Sequence, residues 1–325
     1  MAERVRITEV GPRDGLQNEP GIIPTEEKVR LVELCCATGV DEVEVTSFVS
    51  PRWVPQLGDA REVIQGIAEA ILRGDADTPD ALSVLVPNFQ GFEALSRVNE
   101  GLPYDEENLE SPLVNKVALF TAASETFSKK NTNATIAETI ERFRPILERT
   151  DSEGTLVRGY VSCAIACPFE GPIDPRRVAD IAEMLIELGV DEIDLGDTIG
   201  AGTPETVGKL LRVVRDRLGS EWWGEDQITL HLHDTFGRAA DCVAAALELG
   251  IRSFDGSVAG LGGCPYASTP GKRAPGNIST ETLVRTVHAA GYETGVDLDR
   301  LGAAADYARE IVAKSRKGVD GGASA

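Results

Sequence analysis

Two histidines two residues apart, His231 and His233, sit in the short run Ile228-Thr229-Leu230-His231-Leu232-His233-Asp234. The chain has 3 histidines in all, so this pair concentrates most of its imidazole in one place. Along a β-strand, residues i and i+2 point to the same face, so both rings aim at one point. Neutral imidazole nitrogens bind divalent metals and leave room for harder oxygen donors. The plainer reading is a pair of half-buried polar residues on an edge strand. Other turns tip the balance. Glu9-Val10-Gly11-Pro12-Arg13-Asp14-Gly15-Leu16-Gln17-Asn18-Glu19 sets a guanidinium beside a carboxylate on a turn shaped by Gly and Pro. Glu44 precedes Thr46-Ser47, and Asp194-Leu195-Gly196-Asp197-Thr198 closes another strand-like run. Gly260-Leu261-Gly262-Gly263-Cys264-Pro265-Tyr266 carries a thiol on a glycine-rich stretch, and Gly276-Asn277 comes just ahead of a helical pattern. Asp14, His231, His233 and Asn277 form a mixed nitrogen and oxygen ligand set. Such a set suits Mg²⁺ or Mn²⁺ and lacks the thiolates of a structural zinc site. Positions left open imply catalysis by chelating a substrate.

These residues need a scaffold that brings distant turns together. Strand patterns fall near Arg6–Val10, Glu42–Thr46, Leu82–Val86, Lys116–Thr121, Val157–Ser162, Glu192–Leu195, Ile228–His233 and Ser253–Val258. Each is followed by an amphipathic helical pattern: Glu26–Ala37, Asp59–Leu72, Gly91–Val98, Ala134–Arg149, Pro175–Leu188, Pro204–Leu218, Ala239–Leu249 and Thr280–Ala290. A further helix is expected over Asp299–Ala313. Eight strand–helix units predict an α/β chain of the (β/α)8 TIM-barrel class with an additional C-terminal helix. The expected organisation is one catalytic domain over 1–313 and a flexible tail over 314–325. Gly74–Ala81 and Glu100–Asn115 read as surface loop insertions. In such a barrel the active site lies at the C-terminal ends of the strands, which is where the polar clusters fall.

Composition bounds the function. A net charge of −21 argues against nucleic acid or an anionic membrane as partner. No stretch approaches the roughly 20 apolar residues of a membrane span. The first strand begins too early for a signal peptide, so a cytoplasmic location is expected. The 6 cysteines, at 35, 36, 163, 167, 242 and 264, lack both zinc-site spacing and the density of a disulfide scaffold, which fits buried thiols in a reducing compartment.

From Glu9 to about Glu281 the chain resembles the 3-hydroxy-3-methylglutaryl-CoA lyase family, a group of metal-dependent barrel lyases related to Claisen-type synthases. The resemblance rests on long motifs: the Glu9–Glu19 run, Thr46-Ser47-Phe48-Val49-Ser50-Pro51-Arg52-Trp53-Val54-Pro55-Gln56, Ala122-Ala123-Ser124-Glu125-Thr126-Phe127-Ser128-Lys129-Lys130-Asn131, Gly196-Asp197-Thr198-Ile199-Gly200, and Gly262-Gly263-Cys264-Pro265-Tyr266-Ala267. It implies that Asp14, His231, His233 and Asn277 hold the metal, that Arg13 neutralises a forming enolate, and that Glu44 orients Arg13. It implies that Cys264 rides a mobile loop and protonates the product carbanion, that His233 or Asp14 is the base, and that Glu281 supports the ligands. Asp197 joins the catalytic candidates, although Gly-Asp-Thr after a strand is also a helix-capping turn. The implied partner is an acyl-CoA, the implied pathway leucine degradation, and the implied assembly a homo-oligomer, a dimer.

The chain departs from the family in three places. The stretch Ser268–Pro275 is longer and more basic than usual, Thr282 stands where an acid is common, and Asp194 replaces a frequent serine. A negative charge near the acyl group would disfavour a dianionic substrate. Two alternatives therefore stand beside cleavage of 3-hydroxy-3-methylglutaryl-CoA. One is a lyase of another 3-hydroxy-3-carboxymethyl acyl-CoA. The other is a Claisen-type acyl transferase of the isopropylmalate or homocitrate synthase kind.

Overall fold

The computed structural model describes residues 3–74, 76–102, 112–224, 227–263 and 276–322. Among them, eight parallel strands close a barrel: β1 (Arg6–Glu9), β2 (Glu42–Ser47), β3 (Ala81–Leu85), β4 (Lys116–Ala122), β5 (Leu156–Ser162), β6 (Glu192–Asp197), β7 (Ile228–Leu232) and β8 (Ser253–Gly256). Each strand pairs with the next, and β8 returns to β1 through Arg6↔Ser253 to Glu9↔Gly256. Parallel neighbours need crossovers, and right-handed strand–helix–strand units close such a sheet on itself. The helices are α1 (Thr25–Cys36), α2 (Ala60–Leu72), α3 (Phe89–Glu100), α4 (Glu125–Thr132), α5 (Ile136–Glu153), α6 (Pro175–Leu188), α7 (Pro204–Leu218), α8 (Ala239–Glu248), α9 (Thr280–Ala289) and α10 (Leu298–Gly322). The (β/α)8 barrel expected from the sequence is the fold.

Two helices differ from the sequence reading in ways that bear on the site's surroundings. Helix α4 lies inside a stretch with no apolar period; only Phe127 and Ser128 are buried in it. Ser124 starts it by accepting the Phe127 N–H, and Asn133 ends it in the left-handed conformation, so caps make this helix. The second difference is α10, which runs on through the low-complexity Ser315–Gly322 segment read as tail. Ser315 Oγ donates to the Gly21 carbonyl at 2.6 Å, and Arg316 makes a two-pronged ion pair with Glu19 at 2.8 and 2.9 Å. These bonds extend the helix and fasten the β1–α1 loop to it.

Apolar strand residues such as Ile7, Val43, Val117, Val157, Ile193, Leu230 and Phe254 join the single main core. The alternate residues fill the barrel with charge, where branched aliphatics are usual. Arg158 on β5 reaches Thr8 on β1 (3.0 Å), Glu42 on β2 (3.0 Å), Glu192 on β6 (2.8 Å) and Asp255 on β8 (3.2 Å). A side chain that touches strands on the far side must point inward. Lys116 on β4 adds bonds to Glu42 at 2.7 Å and Glu192 at 2.8 Å. Burial opposes its charge, yet the two carboxylates outweigh that and hold the ammonium above its ordinary pKa.

Removing one partner from such a cluster leaves an uncompensated buried charge. Lys116→Met therefore lowers stability by about 3–5 kcal/mol, read as a drop in the urea midpoint. A change under a tenth of that would mean that Glu42 and Glu192 do not depend on the ammonium.

Candidate active site

Strand β1 ends in Glu9, and Gly11–Gly15 then forms one π-helical turn, closed by the Gly15 N–H on the Val10 carbonyl at 3.2 Å. Glu9 builds that turn. Its carboxylate accepts from Gly11 N (2.7 Å), Val258 N (2.8 Å) and Thr280 Oγ1 (2.6 Å), tying the turn to the end of β8 and the start of α9. Burial pushes the Glu9 carboxyl up to about 7 despite those donors.

The turn delivers Arg13 and Asp14 to the C-terminal mouth. Arg13 donates through Nε to Glu44 Oε2 at 2.7 Å, through Nη2 to the same oxygen at 2.6 Å, and through Nη1 to Asp14 Oδ1 at 2.8 Å. Its guanidinium also lies 5.7 Å from the Tyr160 ring centre. Burial disfavours the charged guanidinium, but Glu44 and Asp14 more than compensate and keep it protonated. For Asp14, burial is outweighed by Arg13 and the two histidines, and its carboxyl sits far below the ordinary range.

His231 stands on β7, and His233 follows the strand's end in an antiparallel bridge to Asn277. The bridge is framed by Asp234 N on the Gly276 carbonyl (2.9 Å) and Ile278 N on the Leu232 carbonyl (2.9 Å). Backbone pairing thus places an amide 44 residues away beside the histidines. One ligand atom from each of Asp14, His231 and His233 lies within 4.8 Å of the others. Asn277 Nδ2 spends its hydrogens on Asp14 Oδ2 (2.8 Å) and the Leu261 carbonyl (3.1 Å), leaving buried Oδ1 with no partner among the described residues. His231 Nε2 and His233 Nε2 face each other at 3.2 Å. Two neutral nitrogens at that separation oppose lone pairs unless a proton or a cation stands between them. Asp255, which the sequence reading did not single out, lies 3.3 Å from His231 Nδ1. With Nδ1 donating there, Nε2 is left free to ligate, a usual arrangement behind metal-bound histidine. The orphaned amide oxygen, the facing nitrogens and the ionised Asp14 together fit a divalent cation.

Gly262 (φ +101°) crosses beside this cluster, where a Cβ would meet Asn277 Nδ2 at 2.8 Å and Asp14 Oδ2 at 3.2 Å. Only glycine fits both that backbone and that approach. Asp197 is occupied elsewhere: it accepts Ala201 N at 3.0 Å and Gly202 N at 2.7 Å, building the turn that leads to α7. Burial raises its carboxyl to about 6 against those two donors. Glu281 accepts the Ala259 N–H at 3.0 Å, where Ala259 holds a left-handed φ of 59°. Cys264 and the 268–275 loop lie outside the described residues. Tyr160 was also missed; its hydroxyl lies 3.2 Å from Asp255 and 3.4 Å from Glu44, one proton between two carboxylates. Both Asp255 and Tyr160 fall at i+2 positions of strands that the sequence marks only by their apolar residues.

Barrel and mouth are those of a (β/α)8 enzyme in which Asp14, His231 and His233 form a group that could hold a metal ion beside a buried guanidinium. The family model described as HMGL-like matches residues 4–307, and the chain belongs to that family. It is 43% identical over 304 residues to the cytoplasmic 3-hydroxy-3-methylglutaryl-CoA lyase of Danio rerio, covering 93% of this chain and 82% of that one. It is 42% identical over 301 residues to the mitochondrial hydroxymethylglutaryl-CoA lyase of Homo sapiens, covering 93% and 83%. Among solved structures, the HMG-CoA lyase of Brucella melitensis superposes with a TM-score of 0.83 at 44% identity, covering 95% of this chain and 99% of that one. An Acinetobacter baumannii HMG-CoA lyase, solved with coenzyme A and 3-methylmalate, superposes with a TM-score of 0.81 at 34% identity, covering 95% and 92%. No helix among the described residues is long and apolar enough to cross a membrane.

Burial, and then the neighbouring His231, press the His233 imidazole down from 6.5 to about 4 in the metal-free protein. A depressed folded pKa adds stability above the unfolded value and loses it as pH falls towards the folded one. Metal-free protein should therefore lose stability between pH 6.5 and about 4, and His233→Ala should lose less over that window. Coincident curves from chemical denaturation would mean that His233 is not held neutral.

Proposed function

We propose that the protein is a metal-dependent carbon–carbon lyase that splits 3-hydroxy-3-methylglutaryl-CoA into acetyl-CoA and acetoacetate. The observation that carries this reading is the meeting of Arg13 with the Asp14, His231, His233 and Asn277 cluster at one barrel mouth. The lyases quoted above, at more than 40% identity over nine-tenths of the chain, supply the substrate.

Breaking the bond between C2 and C3 requires the 3-hydroxyl to lose its proton and the thioester carbonyl to take up the electron pair. Asp14, His231, His233 and Asn277 are the residues that would hold Mg²⁺ or Mn²⁺, and such an ion supplies Lewis acidity that lowers the pKa of the 3-hydroxyl. Asp14 and His233 are the two candidate bases, and both also belong to the set that would hold the ion. Arg13 uses three of its five N–H bonds on Glu44 and Asp14, leaving two for the enolate oxygen of the departing thioester. A charge fixed by two buried ion pairs needs no reorganisation as the enolate forms. Cys264, by family likeness, returns a proton to the product carbanion, and Glu44 sets the direction of the guanidinium. The described cysteines are buried and form no disulfide with one another, which suits the reducing cytoplasm expected from the sequence.

EDTA-stripped protein given 3-hydroxy-3-methylglutaryl-CoA should release acetyl-CoA and acetoacetate only after Mg²⁺ or Mn²⁺ is restored. No release with metal present would sink this substrate and favour a longer branched acyl-CoA. Arg13→Met should lower kcat by about 10²–10³-fold while KM changes little. A near-normal kcat would remove the guanidinium from the chemistry.

A further inference from the structure

Charge fills the lower barrel, but two neighbouring strands bring apolar groups into the lumen near the mouth. On β4, Val117 and Leu119 join the main core outside the sheet, and Lys116 reaches carboxylates across the lumen. Side chains alternate along a strand, so Ala118 and Phe120 share the face of Lys116 and point inward. On β3 the same alternation puts Leu82 and Val84 in the main core and turns Leu85 to the lumen. Leu85, Ala118 and Tyr160 form a small second cluster, with Val49 and Phe120 packed against it. Leu85 pairs in register with Ala118, and Phe120 with Tyr160, so the cluster spans β3, β4 and β5 on the mouth side of Lys116.

Tyr160 joins this cluster to the candidate active site. Its ring centre lies 5.7 Å from the Arg13 guanidinium and 6.2 Å from the His231 ring, edge to face. In the closed sheet β3 and β4 stand opposite β7 and β8, so the apolar wall faces the histidines across the mouth. Leu85, Ala118 and Tyr160 are buried, whereas Phe120 and Val49 stay partly exposed. A ring that points into a barrel is exposed only to the open mouth, and such a surface gains from an apolar group laid over it.

We propose that Val49, Leu85 and Phe120 seat the alkyl substituent on the hydroxyl-bearing carbon of the substrate, and that Phe120 sets how long that substituent can be. The inference rests on the lyase reading above and names a specificity determinant for it. C3 of such a substrate carries a hydroxyl, a thioester arm, a carboxymethyl arm and an alkyl group. The first three carry polar atoms suited to the metal group and Arg13. The alkyl group has none, and the wall across the mouth is the apolar cluster set apart from the main core among the described residues. A methyl substrate and a longer branched homologue present the same hydroxyl, carboxylate and thioester. Neither Arg13 nor the ligand group can therefore choose between them, and Phe120 can.

The test uses the full-length protein with Mn²⁺ and two free acids as probes, 3-hydroxy-3-methylglutarate and 3-hydroxy-3-butylglutarate. Each is titrated calorimetrically into wild type, Phe120→Ala and the milder Phe120→Leu. Wild type should bind the methyl acid about 10-fold more tightly than the butyl acid, and Phe120→Ala should move that ratio about 10-fold towards the butyl acid. Phe120→Leu should fall between the two. The same ratio in all three proteins, equal loss of both acids in the two variants, or a wild type that binds neither acid would overturn the proposal. The corresponding CoA thioesters then separate this seat from the cleavage itself, since kcat/KM for acetyl-CoA release should follow the same order. Binding ratios that shift as expected, with no acetyl-CoA released from either thioester, would leave the seat standing and count against the lyase reading alone.

Discussion

A guanidinium that cannot give up its charge stands inside this barrel, and the interior is arranged around it. Arg158 is fully buried, and Thr8, Glu42, Glu192 and Asp255 converge on it from four other strands. In a medium of low dielectric neither the cation nor its carboxylates can stand alone. Each charge placed to satisfy Arg158 therefore asks for another. Lys116 answers Glu42 and Glu192 on one side. Asp255 and Tyr160 carry the requirement towards the mouth, where Asp255 meets His231 and Tyr160 meets Glu44. The ligand cluster and the Arg13–Glu44 pair are thus the upper edge of one electrostatic network.

That network explains why carboxyl groups in one barrel differ so widely. Asp14 is strongly acidic because Arg13 and the imidazoles surround it. Asp197, with backbone donors alone, rises to about 6, and Glu9 to about 7. Glu9 and Asp197 are builders of turns, holding the Arg13–Asp14 segment and the approach to α7.

The eight units and the grouping of Asp14, His231 and His233 were legible because both follow short-range rules. Helix period, Gly-Val entries to strands and the i, i+2 spacing of His231 and His233 are local facts. Asn277 was legible through the motif that contains it, although only the bridge to His233 explains its place. Asp255, Tyr160 and Arg158 were not, because the strands announce themselves by the apolar residues that face the helices. Their inward neighbours read as noise until the barrel closes and brings strands from far along the chain onto one guanidinium. Helix α4 was hidden for a different reason: its caps define it, and its polar body shows no period. The end of α10 looked like tail because Glu19 and Gly21, which hold it, lie almost 300 residues away.

The fastening of α10 to the β1–α1 loop bears on how a newly made chain reaches its working state. Strand β1 needs β8 as a neighbour, and the loop behind Arg13 and Asp14 needs Arg316. A polypeptide emerging from the ribosome carries the first half of its catalytic apparatus long before the partners exist. Until β8 and the start of α9 have been made, β1 exposes an unpaired edge and Glu9 lacks the Val258 and Thr280 donors that tie down the Arg13 turn. A chain truncated ahead of β8 therefore holds Arg13 and Asp14 without the neighbours that place them.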